Sequence, residues 1–269
     1  MLREGLSNHV CLLGWALVRA AVVSLAAQAV FGVGAAAAVE FRLQNRVYVE
    51  GQKAPVSEST TLLANGLAYD VMQEPTEVIV YNSDSGRLTL LDPNRKVRTE
   101  LTTTEVAAFA EQIRQTAQVS NDPVIQFMAS PSFAPAETET PDTLVLASPL
   151  LSYHARGDAS AGPEAALAYK DLANWLARLN TLLTPGGRPP FARIALNEAL
   201  AHNGLLPREV KLSYQVKQGT STTTVRLRSE HDLQRALDEA DRRRLAEIGQ
   251  RLAAAKLVSF DQYRLRQAK

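Results

Sequence analysis

Residues 39–49 alternate with a period of two, and this feature limits the chain most. Val39, Phe41, Leu43, Val47 and Val49 share one parity, while Glu40, Arg42, Gln44, Arg46 and Glu50 share the other. Asn45 is the polar break in the apolar set, and Tyr48 is the aromatic break in the polar one. A strand sends successive side chains to opposite faces, whereas a helix needs a 3.6-residue period, so this segment is expected to be a long half-buried strand. Asn65-Gly66 in SESTTLLANG supplies the positive φ angles of a tight hairpin, and Leu67, Tyr69 and Val71 share a parity beyond it.

The stretch TEVIVYNSDSGRLTLLDPNRKVRTEL, residues 76–101, continues in the same way. NSDSG and DPN are turn sequences, because Asn and Asp side chains bind nearby backbone and Pro presets φ. KVRTEL alternates again, with Val97, Thr99 and Leu101 opposite Lys96, Arg98 and Glu100. Residues 39–101 therefore read as a β-meander, antiparallel because its connections are too short for a parallel crossover. The inward row is expected to comprise Phe41, Leu43, Val47, Tyr69, Val78, Leu88, Leu90 and Val97.

Thr102 or Thr103 with Glu105 signals a helix start, followed by an apolar stripe at Val106, Phe109 and Ile113. Residues 163–204 read as a helical insertion, with Trp175 on the stripe of its first helix and Asn203-Gly204 closing its second. A second β-hairpin is expected over 207–229 and a C-terminal helix over 231–256, started by Ser229 and Asp232. In that helix DEADRRR, residues 238–244, reads as a solvated face with i,i+4 pairs such as Asp238 with Arg242. Strands and helices are thus grouped along the chain, the pattern of an α+β fold, and residues 39–269 are expected to form a single domain.

The first 38 residues stand apart. A basic start is followed by a charge-free run from Ala20 to Ala38 ending in AAAA, the pattern of a secretory signal peptide. The run is also long enough for an uncleaved N-terminal membrane anchor, with membrane contact through residues 11–38. No lipoprotein-type cysteine closes the run, since Cys11 precedes it. The expected location is the periplasm or cell envelope. Without residues 1–38 the chain loses Arg3, Arg19 and Glu4, leaving 27 basic and 27 acidic residues. That balance speaks against nucleic acid as a partner.

The segment GLAYDVMQEPTEVIVYNSDSGRLTLLDPNRKVRTEL resembles exported bacterial domains related to periplasmic lipoprotein carriers of the LolA and LolB type, and GRPPFARIALN at 187–197 is similar to a segment of exported proteins of unknown function. The resemblance covers about residues 39–110. It implies a curved antiparallel sheet, a half-barrel packed against helices, whose concave apolar face holds a lipid or a lipoprotein acyl chain. Arg42 and Arg46 lie on the wrong parity to serve as the carriers' buried arginine.

Chemistry-bearing motifs are sparse. His154, His202 and His231 are far apart, no cysteine follows residue 38, and NSDSG lacks the later ligands of a calcium loop, so no metal or cofactor is expected. There is no G-x-S-x-G elbow and no phosphate loop. The expectation is a non-enzymatic protein that binds a hydrophobic or amphiphilic ligand on the row above together with Trp175. The alternatives are an envelope interaction module with a filled core, and a hydrolase whose triad assembles in space around His154, read as an exposed strand-end residue.

Overall fold

The chain is represented by a computed structural model, which describes residues 39–134, 137–184, 186–218 and 221–265. The expected signal or anchor, 1–38, lies outside the described residues. Six strands come first: β1 (Phe41–Val49), β2 (Ser57–Ala64), β3 (Leu67–Met72), β4 (Glu77–Asn82), β5 (Arg87–Asp92) and β6 (Val97–Thr102). Each is antiparallel to the next. Asn65 and Gly66 both have positive φ, 53° and 74°, as a two-residue hairpin with strand-matched twist requires. Asn82 Oδ1 accepts from the Ser85 amide at 3.0 Å, and Asp92 Oδ1 accepts from the Arg95 amide at 2.8 Å. The turn aspartate and asparagine thus serve backbone geometry.

The sheet extends past β1 on its other side. The order is β12-β6-β5-β4-β3-β2-β1-β11-β10-β9-β8-β7, with β7 (Glu137–Thr140), β8 (Thr143–Ala147), β9 (Leu151–Asp158), β10 (Leu206–Gln218), β11 (Ser221–Gln234) and β12 (Lys256–Leu257). All pairings are antiparallel except the two-residue β12–β6 contact. The result is an α+β fold built on one large, unclosed sheet.

Helices cover both faces. On one side lie α1 (Thr103–Gln118), α2 (Pro123–Ala129), α3 (Pro163–Leu183) and α4 (Phe191–His202), which meet Phe41, Leu43, Ile79, Leu88 and Leu90 at one half of the sheet and Leu144, Tyr153 and Val210 at the other. This is the inner face. The outer face carries α5 (Glu239–Ala254), whose Ile248 and Leu252 pack on Val78, Val80 and Leu91. Because both faces are covered there, β2 is buried without interruption from Thr60 to Ala64, and β4 from Glu77 to Tyr81. After α5 the chain runs along the edge strand, Lys256 and Val258 amides donating to the Lys96 and Arg98 carbonyls, and α6 (Phe260–Arg264) brings Tyr263 to the inner-face core. That strap covers part of an edge otherwise open to pairing with another chain.

Thr102 caps α1 in a reciprocal capping box with Glu105. Thr102→Ala is expected to cost about 1 kcal/mol in chemical denaturation. The C-terminal helix departs from expectation. It starts at Glu239, because residues 231–234 continue β11, with His231 opposite Asn45 and Leu233 opposite Leu43. Asp238, not Ser229 or Asp232, is the cap, and its side chain accepts from the Asp241 amide at 2.8 Å. The expected Asp238–Arg242 pair therefore does not form; Arg242 instead reaches Glu40 at 3.0 Å.

Candidate functional site

The expected ligand-binding row divides between the two faces. Phe41, Leu43, Leu88 and Leu90 line the inner face at 0–1% exposure, with Val97 packed beside them. Val47 shares their parity and is half-buried opposite Ser229. Tyr69 and Val78 do not belong to this wall. Registers Leu62↔Tyr69↔Val80 and Val78↔Leu91 place them on the outer face under α5. On β3 the inner positions are Ala68, Asp70 and Met72, so a small residue and an acid hold the sites where apolar bulk was expected. Trp175, on α3, is half-buried against this core, 6.4 Å from the Tyr81 ring, with the Arg178 guanidinium 4.9 Å from its own ring.

Next to the apolar wall the inner face becomes polar. Asn45 Nδ2 donates to Thr61 Oγ1 at 2.9 Å and to Ser59 Oγ at 3.1 Å. Both hydroxyls donate to Asp70 Oδ1, at 2.9 and 3.0 Å. With its amide group so committed, Asn45 offers Oδ1 to His231 Nδ1 at 2.8 Å, so Nδ1 carries the proton and Nε2 accepts from Ser229 Oγ at 2.9 Å. A Ser–His–Asn relay results, oriented as a nucleophile, a base and the group that aligns the base. Burial, reinforced by the Arg193 cation, pushes His231 down to about 3, which keeps it neutral. Burial pushes Asp70 upward, against the two hydroxyl bonds that favour its ionised form. Thr61, Asp70, Ser229 and His231 are all at or below 9% exposure, so the relay is core, with its hydrogen bonds satisfied across strands β3, β2, β1 and β11. The sequence signal for it was the break at Asn45, which extends on the same face to Ser59, Thr61 and Asp70.

Three of the clefts that reach the surface bear on the expected sites. The first, about 210 Å³, opens at one end of the seam between sheet and α3 and is lined by Val39, Leu63, Ala68, Tyr81, Ala168 and Asp171 among others. At its rim the Tyr81 hydroxyl donates to Asp171 Oδ2 at 2.7 Å, and burial followed by that carboxylate raises the phenol's pKa. The second, about 510 Å³, lies at the opposite end of α3 and contains Glu77, Asp92, Arg95, Asn180 and Tyr263. The third, about 440 Å³, sits on the outer face away from α5, where Tyr48, Lys211, Arg226 and Arg228 surround His154, Ser152 and Ser213. His154 is thus mid-strand in β9, not at a strand end. The relay that does form uses His231, a residue assigned to a helix from sequence. Among the described residues no group of three or more His, Cys, Asp and Glu is placed to hold a metal ion, and no helix is long and apolar enough to cross a membrane.

No family model matches the chain, and neither does any curated protein. Among solved structures, PNGF-II, solved in a C2 crystal form, is 10% identical with a TM-score of 0.32, over 82% of this chain and 30% of that one. The LolA superfamily protein NE2245 from Nitrosomonas europaea is 10% identical with a TM-score of 0.25, over 76% of this chain and 88% of that one. The chain therefore spans about 30% of the length of PNGF-II.

Proposed function

We propose that this chain is an exported, non-enzymatic module of the cell envelope, built on an incomplete barrel of the LolA and LolB type, that binds an apolar or amphiphilic ligand at the seam between sheet and α3. One observation carries the proposal: the seam opens into an apolar mouth whose rim holds the Tyr81–Asp171 pair. An apolar cleft with a few convergent polar groups is the usual form of a small-ligand site. The centre of the wall is a filled core, so the ligand's contact is confined to the mouth and to the half-buried Trp175 beside Tyr81.

Delipidated protein is expected to take up cis-parinaric acid, and freshly purified protein to release lipid detectable by mass spectrometry. Ala68→Trp, which fills the mouth, is expected to lower uptake about tenfold, comparable to losing the burial of two methylene groups. Wild-type protein that carries no lipid and takes up no probe would overturn the proposal. The near-zero exposure of Phe41, Leu43, Leu88 and Leu90 favours a second function, an interaction module whose inner face serves stability alone. That function is the one left standing by a negative uptake result.

A further inference from the structure

The cleft at the C-terminal end of α3 holds two carboxylates on adjacent strands. Glu77 precedes Val78 in β4 and Asp92 follows Leu91 in β5, next to the Val78–Leu91 pair, and both line a space of about 510 Å³. Glu77 is 5% exposed. Its Oε1 accepts from the Tyr263 hydroxyl at 2.6 Å, and no donor among the described residues reaches Oε2. A carboxylate this buried, beside another, is costly unless a cation or further donors compensate it. Arg95 is the cation at the site, but its two terminal nitrogens donate to the Tyr263 and Gln262 carbonyls at 2.7 and 3.1 Å, and its Nε stands 3.8 Å from Asp92. The guanidinium therefore holds α6 to the sheet and forms no ion pair with Glu77, whose Oε2 is left to the cleft.

We propose that this cleft binds a small aliphatic amine, its ammonium group seated between Glu77 and Asp92. An ammonium brings three donors, enough to meet Glu77 Oε2, Asp92 and the side-chain oxygen of Asn180. Met72 and Leu183, on opposite walls, present apolar surface to a short alkyl stem. A divalent cation is less well served, since such ions take six or more oxygen ligands and the described lining offers two carboxylates, Glu77 and Asp92. The site lies at the far end of α3 from the apolar mouth and stands independently of ligand binding there.

The test uses n-butylamine hydrochloride at neutral pH, with n-butanol and an equal concentration of sodium chloride as controls. Calorimetry and thermal denaturation are expected to show binding and a raised Tm with the amine only. Glu77→Gln and Asp92→Asn keep an oxygen for Tyr263 and for the Arg95 amide, so both variants should fold. Each is expected to weaken amine binding about tenfold or more, as removal of one charge-assisted contact does. Asp84→Asn, in the exposed β4–β5 turn, is expected to bind as wild type. Absence of amine binding, an equal response to butanol, or unchanged affinity in both carboxamide variants would overturn the proposal. Each of these outcomes is read without the acyl probe, so failure here is distinct from failure at the apolar mouth.

Discussion

Lowering the pH from 7 to 4 is expected to erode the stability that His231 contributes by about 3 kcal/mol, using about 1.36 kcal/mol per unit of pKa difference. The histidine is held neutral in the fold, with its pKa at about 3 against an ordinary 6.5. Below pH 6.5 the unfolded chain takes up a proton that the folded chain refuses, so stability falls with pH until the folded group also titrates near 3. Asp70 and Glu77 act in the opposite sense. Burial raises both, so their contribution is present at low pH and is lost as pH rises through their raised values. Comparison with His231→Gln removes this shared background. The variant is expected to be less stable than wild type at pH 7, by about 1–3 kcal/mol for unsatisfied Asn45 and Ser229. Measured by urea denaturation, the gap between the two proteins should shrink, or reverse, on going to pH 4. Parallel stability curves from pH 7 to 4 would show that His231 is solvated or charged in the fold, and the relay with Asn45 and Ser229 would then be wrong.

Val78→Asp is expected to cost more than about 4 kcal/mol, the range reserved for burying an uncompensated charge. Val78 is 3% exposed between β4 and α5, with Val80, Leu91 and Ile248 around it. Those three aliphatic neighbours offer a carboxylate neither a donor nor a cation. Val56→Asp is the matched control. Val56 is 53% exposed in the β1–β2 connection, so its replacement should fall within about 0.5 kcal/mol. Urea denaturation of the two variants reads the outer face directly. If Val78→Asp proved as mild as Val56→Asp, α5 would not cover this face, and the two-sided core would have to be abandoned.

Much of the meander was legible because its signals are local. Asn65-Gly66, NSDSG and DPN carry their turn geometry in their own side chains and φ preferences, and Thr102 with Glu105 closes a capping box within four residues. The assignment of faces was not local. Alternation in β3 shows that Tyr69 and Val71 share a side, but which side depends on the register with β2 and β4. Because α5 covers the outer face, apolar residues are needed on both parities, and the apolar-means-inward rule fails for Tyr69 and Val78. The last helix was misplaced for a related reason. Residues 231–234 belong to β11 through their pairing with β1, nearly 190 residues away in the chain. The candidate sites were least legible of all. Glu77, Asp92 and Tyr263 meet only through strand pairing and the strap that returns α6 to the inner face.

What the sequence determined by itself was the kind of element at most positions: period-two burial makes strands, a 3.6-residue stripe makes helices, and turn residues bend the chain wherever their backbone preferences require. Only the tertiary structure decided which side of the sheet each strand residue serves, that a histidine and an aspartate are sealed into the core, and that two acids share a cleft. These depend on register and on which helix covers which face, and both are set by packing between segments far apart in the chain, where local preference is silent.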